Sequence, residues 1–465
     1  MFLPKTKTSY KPNGVNLWSM KGKQNIIFLV FLLLLSGQVS AQALKQKMSE
    51  EPKAGASIFR PYFYDETAAS QNPVGGGSYK PFYVSHFGRH GARYYTHQSH
   101  WQPAVNGLEA AKNEDLLTAE GEALYSAVKR IYDEHKGMYG ELTPLGASEH
   151  RQIAARLYRR EKSVFSSKSR NQVRCASSIF SRCLMSMANF SEELSSLAPQ
   201  LEVSYIAGQK YNDEYLNSPL ERNFNQEANL ILDSLKRADL RPESLLSLYF
   251  TSPEVAKSLI PDLYAFEMGL YYFWAISYDL DFLNIEITHL FPFDELARCS
   301  SIDNAAKYAK VALSEEFGSI TRIKGIKVLK DFMVKADEAL QPDSKIAADF
   351  RFAHDSAFLP ICTLLGVEGY PVCSVKEAYG NWNASEAVPM CANLQMVFYK
   401  GKGNVLVKVL VNEKEVALGG LTPAHDLFYN WSDIKSLIEG LDSSCSAQQT
   451  NFDMENKSHL NQLYE

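Results

Sequence analysis

The sequence predicts an α/β fold: a Rossmann-like core with a mostly parallel sheet flanked by helices, plus a helical insertion domain. Three observations predict it. Short apolar runs at 81–87 and 172–178 alternate with helical periodicity at 115–136, 141–160 and 181–197, the pattern of parallel βαβ units. From about 210 to 340 long helical patterns take over. Strand character then returns at 344–355 and again at 392–416.

Each element has its own reason. Residues 42–80 are polar and turn-rich, and "NPVGGGSYK" reads as a loop leading into strand 81–87. The helix at 115–136 is stopped by Gly137, and the next one opens on Thr143–Pro144, a helix-start pair. "QVRCASS" (172–178) is a short strand with its exit loop, followed by the helix "SRCLMSMANFSEELSSL" (181–197). "NQEANLILDSLKRA", "IPDLYAFEMGLYYFWAISYD" and "IKGIKVLKDFMVKADEAL" carry the helical texture of the insertion. "ANLQMVFYKG" and "NVLVKVLVNEKEV" form a hairpin around "KGKGN", with "NEKE" (412–415) as an exposed face. The expected division is a signal segment (1–41), a first part of the α/β core (42–209), a helical cap (210–340), a second part of the core (341–440) and a polar tail (441–465).

The start of the chain reads as a targeting segment. "IIFLVFLLLL" (26–35) follows Lys21 and Lys23, and "VSA" (39–41) offers small residues where a signal peptidase cuts. Ten apolar residues fall short of the roughly 20 that span a bilayer, so no stable membrane anchor is expected after cleavage. Met20 begins a more conventional signal than Met1. The expectation is export, to a periplasm or the medium. Cleavage after Ala41 removes five of the 48 basic residues and no acid, leaving 43 against 53 acids and a net charge of −10. So acidic a chain does not bind nucleic acid through its overall field, and any attraction for phosphate is local. Seven cysteines, an odd number without C-x-x-C metal spacing, read as structural thiols or disulfides.

The chemistry sits in "HFGRHGARYY" (86–95), which follows an apolar strand. Arg89 and Arg93 are permanently charged forks suited to phosphate oxygens. Gly91 lets the backbone approach a ligand. An imidazole between two guanidiniums is held unprotonated, so His90 keeps a nucleophilic nitrogen. R-H-G-x-R is expected by chance in well under about 1% of chains this long. A second charged strand end, "RFAHD", brings His354 and Asp355 to a place where open α/β sheets put their sites.

With these motifs in hand, the chain resembles the histidine acid phosphatases, the second branch of the histidine phosphatase superfamily. "GELTPLGASEH" (140–150) is similar to that family's Leu-Thr-Pro-x-Gly segment, and "SRCLMSMANF" (181–190) to the helix carrying its third phosphate arginine. Arg174 and Arg182 compete for that role. Arg182 is preferred, because its R-x-x-x-S spacing fits a helix start aimed at the site. "RHGARYYT" and the 392–416 hairpin look most like the multiple inositol polyphosphate phosphatases, although those typically show His-Ala-Glu where this chain has His354–Asp355.

The resemblance implies a phosphomonoester hydrolase working through a phosphohistidine, with no metal or other cofactor. His90 would be the nucleophile and Asp355 the proton donor, with Arg89, Arg93, Arg182 and His354 holding the phosphoryl oxygens. It implies a small phosphorylated substrate, an inositol polyphosphate such as phytate, with sugar or aryl phosphates as the alternative, and an acidic optimum. His86, His97 and His100 are left as solvated or packing residues. A non-catalytic phosphate-binding protein and a metal-dependent phosphohydrolase are the rival readings. The sequence sets no oligomeric state.

Overall fold

The computed structural model describes residues 44–64, 78–212, 222–401 and 403–444. The expected signal segment, most of the expected polar tail and Cys445 lie outside the described residues.

One sheet organises the chain. β1 (Lys80–Arg89) is followed by α1 (Gln102–Asn113), α2 (Ala119–Glu134) and α3 (Pro144–Arg160). β2 (Gln172–Ser177), α4 (Ser181–Leu197) and β3 (Glu202–Ala207) come next. The longer helices before the next strand are α5 (Arg222–Asp239), α6 (Leu263–Ser277), α7 (Phe293–Val311) and α8 (Gly318–Leu340). β4 (Ile346–Ala353), α9 (Asp355–Leu364), β5 (Asn393–Lys400), β6 (Val405–Val411), β7 (Lys414–Glu415) and β8 (Phe428–Asn430) complete it. The sheet order is β3-β2-β4-β1-β5-β6-β7, with β8 beside β6. The first four strands in that order run parallel, β5 is antiparallel to β1, and β6 turns back to their direction.

Both faces of the sheet are covered, so its central strands β1, β4 and β5 are buried along most of their length. On one face Val84, Val173 and Phe350 pack with Ile153 and Leu157 of α3 and with Phe190 and Leu194 of α4. On the other, Phe87, Met396 and Phe398 share a cluster with Phe266 and Trp274 of α6, Leu296 of α7 and Phe332 of α8. Trp101 stacks on Phe273 with ring centroids 4.3 Å apart, tying the start of α1 to α6.

Three expectations need correction. The 42–80 segment is not simply a solvated loop: 44–50 is helical, and Ile58 and Phe59 are buried in the main core. Residues 102–113 form a helix where none was expected, and α2 begins only at Ala119, where Thr118 caps it by accepting from Gly121 N. "NEKE" is not an exposed face: Glu413 is buried and its three neighbours are half-buried. Asn412 and Glu413 adopt left-handed φ angles of 49° and 64°, which turn Glu413 inward to a 2.7 Å ion pair with Arg156. The six described cysteines are all free thiols. No helix among the described residues is long and apolar enough to cross a membrane.

The helical layer buries a carboxyl pair. Glu267 on α6 accepts from Cys299 Sγ at 3.7 Å, while Glu295 on α7 pairs with Arg298 and accepts from Ser244 Oγ at 2.9 Å. Burial, and then the neighbouring Glu295, push the Glu267 carboxyl above its ordinary value of 4.5. An acid raised in the folded state loses stability as pH rises, because the unfolded chain ionises first. Stability therefore falls from about pH 4.5 upward until Glu267 itself ionises. Thermal unfolding at several pH values should show Glu267→Gln matching the wild type near pH 4 and exceeding it by about 1–2 kcal/mol near pH 8.

Candidate active site

Strand register brings the chemistry together. Arg89 of β1 lies opposite Ala353 of β4, and Ser177 of β2 lies opposite Phe352 of β4. His90, Ser178 and His354 therefore leave three adjacent strands at one carboxyl edge. Backbone bonds fix the exits: His90 N donates to Ala353 O and Ser178 N to Phe352 O, each at 3.0 Å.

The loop beyond β1 is staked along its length. Gly91 N donates to Ser186 Oγ (3.1 Å) on α4, and Ala92 N to Glu149 Oε2 (2.9 Å) on α3. Thr143 donates to Ala92 O through both its backbone N, at 2.9 Å, and its Oγ1, at 3.0 Å. Arg93 N reaches Asp279 Oδ2 at 3.4 Å, and Cys391 N donates to His90 O at 3.0 Å. The loop lies so close to α3 that a Cβ on Gly91 would sit 2.7 Å from Gly146 O, and one on Gly146 only 2.2 Å from Ala92 O. This contact gives the Thr-Pro-x-Gly segment its reason.

The charged groups follow from those stakes. Arg89 is 1% exposed, and its Nη1 donates to Ile58 O (2.8 Å) and Val388 O (2.7 Å). Arg93 Nη1 donates to Tyr94 O at 3.0 Å and its guanidinium stands 5.4 Å from the Phe59 ring. Arg182 lies 4.7 Å from the Phe180 ring. The Nε atoms of all three are buried without a hydrogen-bond partner. An unpaired buried donor is costly, and three on charged groups around one imidazole make a receptor for an oxyanion. His90 Nδ1 lies 3.0 Å from Gly91 O, a carbonyl that only accepts, so Nδ1 holds the proton and Nε2 keeps its lone pair. Burial, then Arg182, Arg89 and Arg93, hold the ring well below its ordinary value of 6.5.

His354 faces His90 at 5.6 Å between ring centroids, and Asp355 opens α9. The Asp355 carboxylate accepts from Ser356 N at 2.9 Å and lies 4.0 Å from Arg89 Nη2. Burial pushes its carboxyl up, but Arg89, Lys307, His354 and Arg93 outweigh burial and hold it below the usual range. Burial and Arg182 drive His354 down to about 3.

Solved structures of similar shape exist. The multiple inositol polyphosphate phosphatase of Bifidobacterium longum, in complex with inositol hexasulfate, matches with a TM-score of 0.67 at 21% identity, over 83% of this chain and 97% of its own. Its complex with phosphate gives a TM-score of 0.67 at 22% identity, over 82% and 97%. The phytase of D. castellii matches at a TM-score of 0.59 and 14% identity, over 84% of this chain and 85% of its own. The chain shares their fold. No protein-family model matches it, and no curated protein matches it in sequence.

In this fold, Arg89, His90, Arg93, Arg182, His354 and Asp355 all meet at one sheet edge. Arg174 does not join them: it makes a bidentate pair with Asp349 at 2.7 and 2.8 Å and a further one with Glu338. His86 is packed among Phe190, Phe350 and Phe352, and His100 bonds to Tyr95 Oη at 2.9 Å. His97 is exposed, and burial of its inner edge, then Arg93, Lys307 and Arg182, lower it, which places it at the rim. Among the described residues no three His, Cys, Asp or Glu side chains converge as a metal-holding set.

Sequence reasoning missed Ile58, Phe59, Glu149, Asp279 and Lys307. "ASIFRPYF" was an apolar signal within a segment otherwise read as loop, and Glu149 sat inside the Thr-Pro-x-Gly segment unremarked. Asp279 and Lys307 lie in helical stretches with no local sign of what they face. Gly146→Ala should cost about 1–3 kcal/mol in thermal unfolding, because backbone rather than a flexible side chain must move. Ala147→Ser, one position on, should cost little.

Proposed function

We propose that this chain is an exported phosphomonoesterase that works through a phosphohistidine at His90 and acts on inositol polyphosphates. The observation that carries the reading is the set of three buried, unpartnered guanidinium Nε atoms, from Arg89, Arg93 and Arg182, around the free Nε2 of His90. The neighbours of like fold add support, since one is solved with inositol hexasulfate and one with phosphate.

In the first step His90 Nε2 attacks phosphorus while the bond to the leaving oxygen breaks, and Asp355 gives that oxygen its proton. An alkoxide is too basic to leave unaided. The Asp355 carboxylate then takes a proton from water, which attacks phosphorus, frees His90 and releases phosphate. The arginines and His354 bind the equatorial oxygens, so catalysis is mostly positioning and charge stabilisation. In the free site Asp355 is ionised over most of the pH range, since its carboxyl is held low. A bound phosphate dianion offsets the guanidiniums and lifts it, and His90 stays neutral well below pH 6.5. The optimum is therefore acidic, at about pH 3–5.

A polyphosphate fits what lies beyond. Lys307 neighbours Asp355 and His97, and Lys310 lies one turn further along α7, beside a cavity of about 470 Å³ also lined by His100, Lys236 and Asp303. Neither Lys307 nor Lys310 makes an ion pair with a described residue, which leaves their charge for a second phosphate group. The cap role of 210–340 is part of this proposal.

Phosphate release from phytate and from p-nitrophenyl phosphate, measured from pH 3 to 8 with EDTA present, tests it. Strong acidic turnover of phytate that His90→Ala abolishes is expected. Preference for the aryl ester would move the substrate to general phosphomonoesters, and activity lost to EDTA or kept in His90→Ala would sink the mechanism. Asp355→Asn should lower phytate turnover about 10²–10³-fold, whereas p-nitrophenyl phosphate, whose leaving group departs without a proton, should still give a burst of p-nitrophenol before slowed hydrolysis of the phosphohistidine limits turnover.

The two candidate arginines separate in the same assay. Arg182→Ala should reduce kcat/KM by about 10²–10³-fold, whereas Arg174→Ala should stay within about threefold and show its effect in thermal stability instead.

A further inference from the structure

We propose that Ser178 is a positioning residue that fixes the tautomer of His354, so that Nδ1 of that ring carries the proton offered to a phosphoryl oxygen. The inference rests on the reading of His354 as a phosphate contact. Ser178 is fully buried at the exit of β2, and its Oγ lies 3.1 Å from His354 Nε2. Its backbone cannot drift from the ring, because Ser178 N is bonded to Phe352 O, two residues before His354. The Ser177 hydroxyl closes on Ser178 O at 2.8 Å from the same strand end.

Among the described residues no hydroxyl stands at the other ring nitrogen. The Cys183 sulfur lies 3.7 Å from Nε2 and 4.0 Å from Nδ1, and its thiol donates to Ala353 O at 3.3 Å. Cys183 therefore walls the ring without claiming either nitrogen. Phe180, edge-on at 5.1 Å between centroids, closes another side.

A neutral imidazole has a single N–H, and the hydrogen bond made by one nitrogen decides which of them holds it. Burial and the nearby arginines hold this ring down to about 3, so it is neutral toward the upper end of the acidic range. Were the proton on Nε2, it would be spent on Ser178 Oγ, and Nδ1 would turn a lone pair toward a phosphoryl oxygen, lone pair against lone pair. With the Ser178 hydroxyl donating to Nε2, the proton sits on Nδ1 and the ring becomes a donor. Ser178 touches no substrate atom in this account and acts only through His354.

The test uses the full chain with ¹⁵N-labelled histidine and orthophosphate bound. The His354 ring signals are identified by their loss in His354→Ala. Wild type should show the Nδ1–H pattern. Ser178→Ala should shift it toward Nε2–H and lower phytate kcat about tenfold, the effect of one hydrogen bond, with KM changed by less than about threefold. Ser178→Thr, which keeps the hydroxyl, should restore both. Thermal unfolding checks that Ser178→Ala is folded. Were it not, Ser178→Cys, a weaker donor of similar size, would be read in its place against Ser178→Thr.

An Nε2–H pattern in the wild type, an unchanged pattern in the variant, or a kcat within about twofold of wild type would each overturn the proposal. A purely structural role would lower the unfolding temperature without moving the tautomer. The reading beneath it is tested separately: if His354→Ala keeps wild-type turnover, His354 is no phosphate contact, whatever Ser178 does.

Discussion

Three guanidinium groups crowded around one imidazole repel each other, and the surrounding structure exists to hold them there. Removing even one such ion from water costs several kcal/mol after relaxation. The chain meets that cost mainly with partial charges, beside the 4.0 Å contact between Arg89 and Asp355. Arg89 is held by the carbonyls of Ile58 and Val388, and Arg93 and Arg182 lie against the rings of Phe59 and Phe180. The buried carboxyls of Glu149 and Asp279 stand behind them, bonded to backbone N–H groups of the same loop rather than to the guanidiniums. Carbonyls and ring faces position a cation without cancelling it. The unspent charge is what an oxyanion would collect.

Such a cluster works only if the backbone beneath it cannot relax. Each of the five residues from Arg89 to Arg93 has its backbone N–H committed to a different neighbour: Ala392, Ala353, Ser186, Glu149 and Asp279. Those partners come from sequence-distant segments, so the loop is where the two separated stretches of sheet and the surrounding helices are joined. Glu149 shows the economy of the arrangement. It also accepts from Tyr62 N at 2.6 Å, which ties down the arm whose Ile58 carbonyl holds Arg89. A mutation in that arm can therefore reach His90 without touching it.

What could be read from the sequence follows from how local its cause was. The strands at 172–178 and 344–355, the hairpin at 392–416 and the Thr143–Pro144 helix start were legible, because periodicity and capping are short-range. R-H-G-x-R and "RFAHD" were legible because each is contiguous, and the parallel register of β1, β2 and β4 then brought them side by side. Arg182 was separable from Arg174 only through helix placement, and Asp349 and Glu338, which occupy Arg174, lie more than 150 residues away. Ile58, Asp279 and Lys307 carried no local mark, because their roles depend on which distant atom each one faces. The inward turn of Glu413 was hidden for a related reason: it depends on left-handed backbone at two residues and on an arginine from α3.

On the proposed reading, the same positive field helps the nucleophile and hinders the proton donor. It lowers His90, which is useful, since the attacking nitrogen must be free at acidic pH. It also lowers Asp355, which is unhelpful, since a donor must hold its proton. No fixed arrangement of arginines escapes this conflict, because charges that bind an anion also favour a carboxylate beside it. The substrate resolves it. A phosphoryl dianion placed among Arg89, Arg93 and Arg182 cancels much of the field at Asp355 and returns the carboxyl toward its ordinary range. On that reading Asp355 is armed as a donor chiefly when a phosphoryl group is in place, and in the free site it is a base. That base is what the second half of the reaction requires once the leaving group has gone.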